Sequence, residues 1–321
     1  MSIIEKAIHL ANGKGARGRA GEVPVDPQFT PVRAGAEDLA GSVEAPPAAA
    51  TISESAVAGV GSTAPGEGGS QRRRLRTSRS VTIDVQRLAG LGIAVATPGP
   101  DADRQAHARI TEEFRRIKRP LLINAFEQGP GTPPGGNLVM VASAVAGEGK
   151  TFCSVNIALS IAMERDRRVL LVDADLQRPN VAQVLGIPGD RGLVDLLEDP
   201  SLDLSEVLLQ TDIPRLSVLP AGKRHSYGTE LLASDAMKGL VAGLSERYPD
   251  RLVLFDSPPL LAATQAVVLA ELAGQIVVVV AAGGTPQDAV TEALALLDTK
   301  KPVGLVLNRY PRMFQPEYYY G

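Results

Sequence analysis

Between Leu138 and Thr151 the chain reads LVMVASAVAGEGKT, a short apolar strand running directly into a loop of small residues that ends Gly149, Lys150, Thr151. Few local patterns restrict a fold so tightly. Backbone N–H groups can close around a phosphate only where side chains are small. A lysine then adds a compact charge for the β and γ oxygens, a hydroxyl reaches Mg²⁺, and the helix that follows points its positive end at the anion. The run therefore predicts strand, phosphate loop and helix in that order. Its candidate nucleotide contacts are Ala146, Gly147, Glu148, Gly149, Lys150, Thr151 and Phe152. The spacing fits the Walker A pattern with Ala144 at the first glycine position, a change that is tolerated where φ is negative.

The rest of the chain after about Asp103 has the rhythm such a loop needs. Apolar runs at Leu138 to Ala142, Arg168 to Val172, Arg215 to Leu219, Arg251 to Phe255, Gln275 to Val280 and Val303 to Leu307 read as strands. Helical patterns lie between them at Phe152 to Glu164, Glu230 to Arg247, Thr264 to Leu272 and Pro286 to Leu297. Near-continuous β-branched runs separated by helices describe an α/β fold of the P-loop NTPase type, a mostly parallel sheet with helices on both faces. An earlier charged helix, RQAHARITEEFRRIKRP, places Ile110, Phe114 and Ile117 on one face and is predicted to close at Pro120.

In such sheets, ligands sit beyond the carboxyl ends of the strands. Acids stand there: Asp173 and Asp175 after RVLLV, and Asp256 after RLVLF. An aspartate facing a phosphate loop can hold Mg²⁺ directly or through water, and a second can take a proton from an attacking hydroxyl. Each aspartate alone is equally a helix cap or turn residue; three of them registered to one phosphate loop make a constellation.

Composition bounds the remainder. Residues 15–102 read as a low-complexity, largely disordered linker, because residues 15–80 are dense in Gly, Ala, Pro and Ser with Phe29 as their only aromatic. Residues 1–14 form a short amphipathic helix suited to docking, 103–309 the P-loop domain, and 310–321 a tyrosine-rich tail. A net charge of −3 implies no nucleic-acid partner for the whole chain, although Arg72, Arg73, Arg74, Arg76 and Arg79 crowd together and suit anionic lipid or an acidic partner. Cys153 is the single cysteine, so no internal disulfide forms, and the residue reads as a small packing group in the first turn after the loop. Three separated histidines give no zinc-type cluster. No apolar run approaches the roughly 20 residues of a membrane helix, and the N-terminus lacks the pattern of an export signal.

SAVAGEGKT, VDADLQRP and FDSPP follow one another in the order of the three nucleotide motifs of the bacterial P-loop tyrosine kinases, the family that accompanies capsule and exopolysaccharide export. From about residue 103 to its end the chain resembles that family, and TELLAS (Thr229 to Ser234) is a further match. The resemblance implies an ATP- and Mg²⁺-dependent protein-tyrosine autokinase regulating exopolysaccharide synthesis or export. Lys150 would bind phosphate, Thr151 and Asp256 would position Mg²⁺, and Asp173 with Asp175 would serve metal and hydroxyl activation. Asn308, in GLVLN, stands where related P-loop proteins contact the adenine. The family's oligomer motif corresponds to Glu112, Arg115 and Lys118, in which lysine replaces an arginine and loses its bidentate fork; an intrahelical salt-bridge ladder is the competing reading. Where the family has an arginine two residues after the second acid, this chain has Gln177 followed by Arg178.

The resemblance further implies a homo-oligomer, a ring being one arrangement, a separate inner-membrane co-polymerase or adaptor, an opposing tyrosine phosphatase, and a cytoplasmic location peripheral to the inner membrane. Partition and septum-site ATPases share the motifs but carry an extra lysine early in the loop, where this chain has Val145. The alternative reading is a nucleotide-driven switch or partition-type ATPase that controls assembly on a membrane partner.

The tail favours transfer over hydrolysis. Tyr318, Tyr319 and Tyr320 close the chain, with Tyr310 upstream. Chain ends are poorly ordered and exposed aromatics are unfavourable there, so packing explains them badly. They read as phosphoacceptors, the competing reading being a tail strapped onto its own domain or a hydrophobic docking peptide.

Overall fold

The computed structural model describes residues 79–93, 101–127, 129, 132–248 and 250–310, with the backbone alone for 101–107 and 247. The N-terminal helix, most of the linker and Tyr318 to Tyr320 lie outside the described residues.

Eight strands form one sheet in the spatial order β1-β4-β5-β3-β6-β2-β7-β8. They are β1 (Arg79–Val81), β2 (Leu138–Ser143), β3 (Arg168–Asp173), β4 (Leu209–Thr211), β5 (Leu216–Leu219), β6 (Arg251–Asp256), β7 (Gln275–Ala281) and β8 (Val303–Asn308). Every pairing is parallel except β4 with β5. The central strands are buried on both faces, so alternate residues feed two separate cores. Met140, Leu170, Val172, Val253, Phe255 and Val278 enter one core. Val139, Leu171, Leu252, Leu254 and Val279 enter the other.

The helices are α1 (Val85–Gly90), α2 (Asp101–Phe126), α3 (Lys150–Ala162), α4 (Val181–Leu185), α5 (Leu193–Glu198), α6 (Leu204–Val207), α7 (Gly228–Ala233), α8 (Asp235–Arg247), α9 (Thr264–Leu272) and α10 (Gln287–Ala295). Phe114 and Leu121 of α2 join the second core with Val155, Ile157 and Ile161 of α3. Met237, Val241 and Leu244 of α8, and Ala266 and Leu269 of α9, close the first.

Three sequence expectations are corrected. The helix predicted to end at Pro120 continues to Phe126 with the proline inside it. Pro120 sits on the exposed side, where the carbonyl it displaces can tilt toward water. Beyond it, Leu121 is buried and its carbonyl accepts a hydrogen bond from Gln275 Nε2 at 3.0 Å. Tertiary anchoring thus carries the helix past its breaker.

The helix expected over Glu230 to Arg247 is two helices. Ser234, extended at ψ 157, caps α8 by accepting from Met237 N at 3.2 Å, the competition with helical backbone that makes serine a boundary residue.

The third correction concerns the linker, whose end is structured. β1 extends the sheet by pairing with β4, and Ile83, Leu88 and Ile93 are buried in the second core. These three apolar residues are too few to raise a periodic signal in a 15-residue stretch, and only the neighbouring surface gives them something to cover.

Candidate nucleotide site

The site lies at the carboxyl ends of three adjacent strands, β3, β6 and β2. Asp173 and Asp256 are register partners on β3 and β6, so the parallel pairing itself puts two carboxylates side by side. The loop after β2 wraps the start of α3. Gly147 and Gly149 have φ of 84° and 98°, the left-handed region in which a Cβ is strained. Ala144 is absent from the positive-φ residues among those described and is fully buried, which explains how it stands in for glycine.

The loop is held open from behind. Glu148 is buried, and its Oε2 accepts from Val145 N at 2.7 Å. Its Oε1 accepts from Ala281 N at 3.2 Å and from the Thr285 hydroxyl. Asn308 Nδ2 donates to Glu148 O at 2.8 Å and lies so close over Gly149 that an added Cβ would stand 2.1 Å from it. Glu148 and Asn308 thus brace the loop from inside the protein. Leu260 N and Leu261 N, after β6, donate to Ser143 O and Ala144 O at 2.8 and 3.1 Å, tying the loop's first residues to the strand that carries Asp256.

Asp256 is bound on both oxygens. Thr151 Oγ1 donates to Oδ2 at 2.7 Å and Ser154 Oγ to Oδ1 at 2.9 Å. Burial pushes this carboxyl up to about 6, against the two hydroxyl bonds and the Lys150 ammonium that pull it down. Asp173 is raised well above its ordinary range by burial and then by the charge of Asp256. Its Oδ2 accepts from Asn180 N and Val181 N, each at 2.9 Å, so it also caps α4, the structural role that any lone strand-end aspartate can take. Asp175 is half-buried, and its Oδ1 accepts from Arg178 N at 2.9 Å. Arg178 itself is exposed.

Burial and the charge of Asp256 raise Cys153 to about 12, which suits the packing role expected of it. Phe152 meets Phe114 edge-on with ring centroids 6.1 Å apart. A cleft of about 310 Å³ opens over the loop, lined by Gly147, Gly149, Lys150, Thr151, Phe152, Asn180, Val184, Leu91, Ile93 and Arg309.

The expected oligomer motif is only partly at the surface. Glu112 and Arg115 are exposed and paired within the helix at 3.1 Å. Lys118 turns inward, donating to Ser160 O at 2.6 Å and pairing with Glu164 at 2.6 Å. It fastens α2 to α3, because the Ser160 carbonyl and the Glu164 carboxylate together hold its ammonium against the second helix. Tyr310 is exposed at the end of the described chain. Sequence reading overlooked Ser154 and Thr285. Ser154 sits one helical turn after Thr151, and that spacing is a legible signal; Thr285 acts across 137 residues and has none.

These features define a P-loop nucleotide-binding protein built on a parallel sheet. Residues 136–299 match the AAA domain family. Tyrosine-protein kinase YwqD of Bacillus subtilis is 33% identical over 186 residues, covering 57% of this chain and 77% of YwqD. Tyrosine-protein kinase ptk of Acinetobacter johnsonii is 34% identical over 138 residues, 43% of this chain and 18% of that protein. Among solved structures, the kinase domain of the Escherichia coli tyrosine kinase ETK superposes with a TM-score of 0.56 at 26% identity, covering 66% of this chain and 80% of that domain. The chain belongs to the AAA domain family and, within it, to the bacterial tyrosine-protein kinases. It spans most of YwqD but less than a fifth of ptk.

Proposed function

We propose that this chain transfers the γ-phosphoryl group of ATP to tyrosines of its own C-terminal segment, Tyr318, Tyr319 and Tyr320 with Tyr310, and thereby regulates exopolysaccharide synthesis or export. The observation that carries the reading is the array of Thr151, Ser154 and Asp256 beneath a phosphate loop, with Asp173 in register beside it.

The donor set fits Mg²⁺. Hydroxyl and carboxylate oxygens are the hard ligands that ion takes, and two adjacent buried carboxyls with raised affinity for protons are short of positive charge. Thr151 and Asp256 would hold the ion, with Asp173 reaching it through water. A cation bound there would neutralise negative charge on the phosphate oxygens.

The chain's own groups do the rest. Loop N–H groups and Lys150 hold the phosphates and stabilise charge that grows on the leaving oxygen. Asp175, half-buried and closer to solvent than Asp173, accepts the proton of the tyrosine hydroxyl. The bond from tyrosine oxygen to Pγ forms as the bond from Pγ to the bridging β oxygen breaks, and ADP leaves. A tyrosine hydroxyl has a pKa near 10, so either proton removal or a loose transition state is required.

A tail entering a neighbour's site suits a homo-oligomer, with Glu112 and Arg115 available on the outer face of α2. Each phosphate adds about −1.5 to −2 charges, enough to repel an acidic site and loosen such an assembly, and a tyrosine phosphatase would reset it. Among the described residues no helix is long and apolar enough to cross a membrane, and the reading includes a separate membrane adaptor. Incubation with γ-labelled ATP followed by mass-spectrometric mapping tests the proposal: label is expected on the tail tyrosines. ATP turnover with those tyrosines unlabelled would replace it with the nucleotide-driven switch.

A further inference from the structure

We infer that Tyr227, in the loop between β5 and α7, is a further phosphoacceptor of this chain, set apart from the tail. The inference rests on the transfer reading above and adds a substrate residue within the folded domain. β5 pairs in parallel with β3, Leu219 opposite Val172, so the loop leaving β5 emerges at the same pole of the sheet as Asp173. It is tied down there. His225 N donates at 3.2 Å to the carbonyl of Leu176, the residue after Asp175, and the hydroxyls of Thr229 and Thr264 lie 3.4 Å apart. Leu231 N donates to Tyr227 O at 3.1 Å, which joins the backbone of the tyrosine to the first turn of α7.

The side chain is presented to solvent. Tyr227 is 66% exposed and stands between Ser226 and Gly228, neighbours too small to screen its hydroxyl. Of the six tyrosines, Tyr248 is the other one upstream of Tyr310, and it is half-buried with the Arg251 guanidinium 4.1 Å over its ring. The surroundings of Tyr227 also suit the product. Exposed Lys223 and Arg224 precede it in the loop, and the His225 ring lies 6.0 Å from its own. That imidazole is oriented, its Nδ1 accepting from Tyr227 N at 3.2 Å and its Nε2 donating to Glu198 Oε1 at 2.9 Å. A phosphate brings about −1.5 to −2 charges, which the lysine and arginine can pair. In the transfer, Tyr227 Oη bonds to Pγ of ATP as the bond from Pγ to the bridging β oxygen breaks; the phenolic proton passes to Asp175 of the transferring site, and ADP leaves.

A full-length chain carrying Tyr310→Phe, Tyr318→Phe, Tyr319→Phe and Tyr320→Phe, incubated with γ-labelled Mg-ATP and mapped by mass spectrometry, tests this. Label is expected on the peptide containing Tyr227 and not on that containing Tyr248, and adding Tyr227→Phe should remove it. Residual label that Tyr227→Phe leaves in place overturns the assignment. Tyr227→Phe in the chain with its native tail keeps the ring, and tail labelling should be unchanged. Loss of tail labelling in that variant also overturns the acceptor role, since the residue would then belong to the site itself. Wild-type protein labelled on its tail, with the tail-substituted chain unlabelled, overturns this inference alone. Wild-type protein that takes no label anywhere overturns the transfer reading and this inference with it.

Discussion

Thr151 Oγ1 donates a 2.7 Å hydrogen bond to Asp256 Oδ2, joining the first turn after the phosphate loop to the end of a strand 105 residues later. In the proposed reading the pair joins the two groups that would hold the metal ion. Substitution at Asp256 should therefore affect binding and chemistry together. Asp256→Asn preserves shape and neutralises the carboxylate, and labelling of the tail should fall at least 100-fold in the γ-labelled ATP assay while the circular dichroism spectrum is unchanged.

The same residue sets a pH dependence. Its ordinary value of 3.8 rises to about 6 on folding, so the folded chain binds that proton more tightly than the unfolded chain. The resulting stability is fully present below about 3.8 and is lost as pH rises through about 6, on the order of 3 kcal/mol in all. Asp173 shifts in the same direction. Nucleotide-free protein should melt at a higher temperature at pH 5 than at pH 7, and Asp256→Asn should flatten that slope. A wild-type melting temperature that rises steadily from pH 5 to pH 7 would contradict the assignment.

Ser154→Ala removes one of the two hydroxyls on the buried carboxylate. A loss of about 1–2 kcal/mol in denaturant unfolding is expected, together with weaker Mg-ATP binding. Thr151→Ser, which keeps the other hydroxyl, should bind nearly as well as wild type.

Lys150→Met should abolish labelling in its own site yet leave its tail a substrate for intact protein. Mixing a size-tagged Lys150→Met chain with wild type and separating the products shows which chain carries label. Label confined to the wild-type chain would place transfer within one subunit.

Gly149→Ala tests the loop brace. The left-handed backbone costs about 1–2 kcal/mol for a residue with a Cβ, and Asn308 adds a clash at 2.1 Å. Combining it with Asn308→Ala should recover only the clash, so the double variant stays less stable than Asn308→Ala alone when both are unfolded in urea.

Local patterns carried much of this. The six expected strands all appear, because the buried ones leave continuous apolar runs and the partly exposed β8 still keeps a short one, and Asp173 and Asp256 at strand ends converge with Thr151 in the first turn of α3. What escaped were features with no local signature. β4 has three residues and α6 four, too short for periodicity. Lys118 looks solvent-facing until Ser160 of α3 and Glu164 just beyond that helix meet it.

The amino-acid order by itself determined the phosphate loop, the strand-end acids and the α/β alternation, since each depends on residues within a few positions of one another. Only the tertiary structure decided how they are supported. Glu148 braces the loop through Ala281 and Thr285, and Asn308 closes over Gly149. Ile83, Leu88 and Ile93 draw the end of an apparent linker onto the domain beside the cleft. These contacts join residues far apart in the chain, and their energy comes from burial and hydrogen bonding on surfaces that exist only after the sheet has formed.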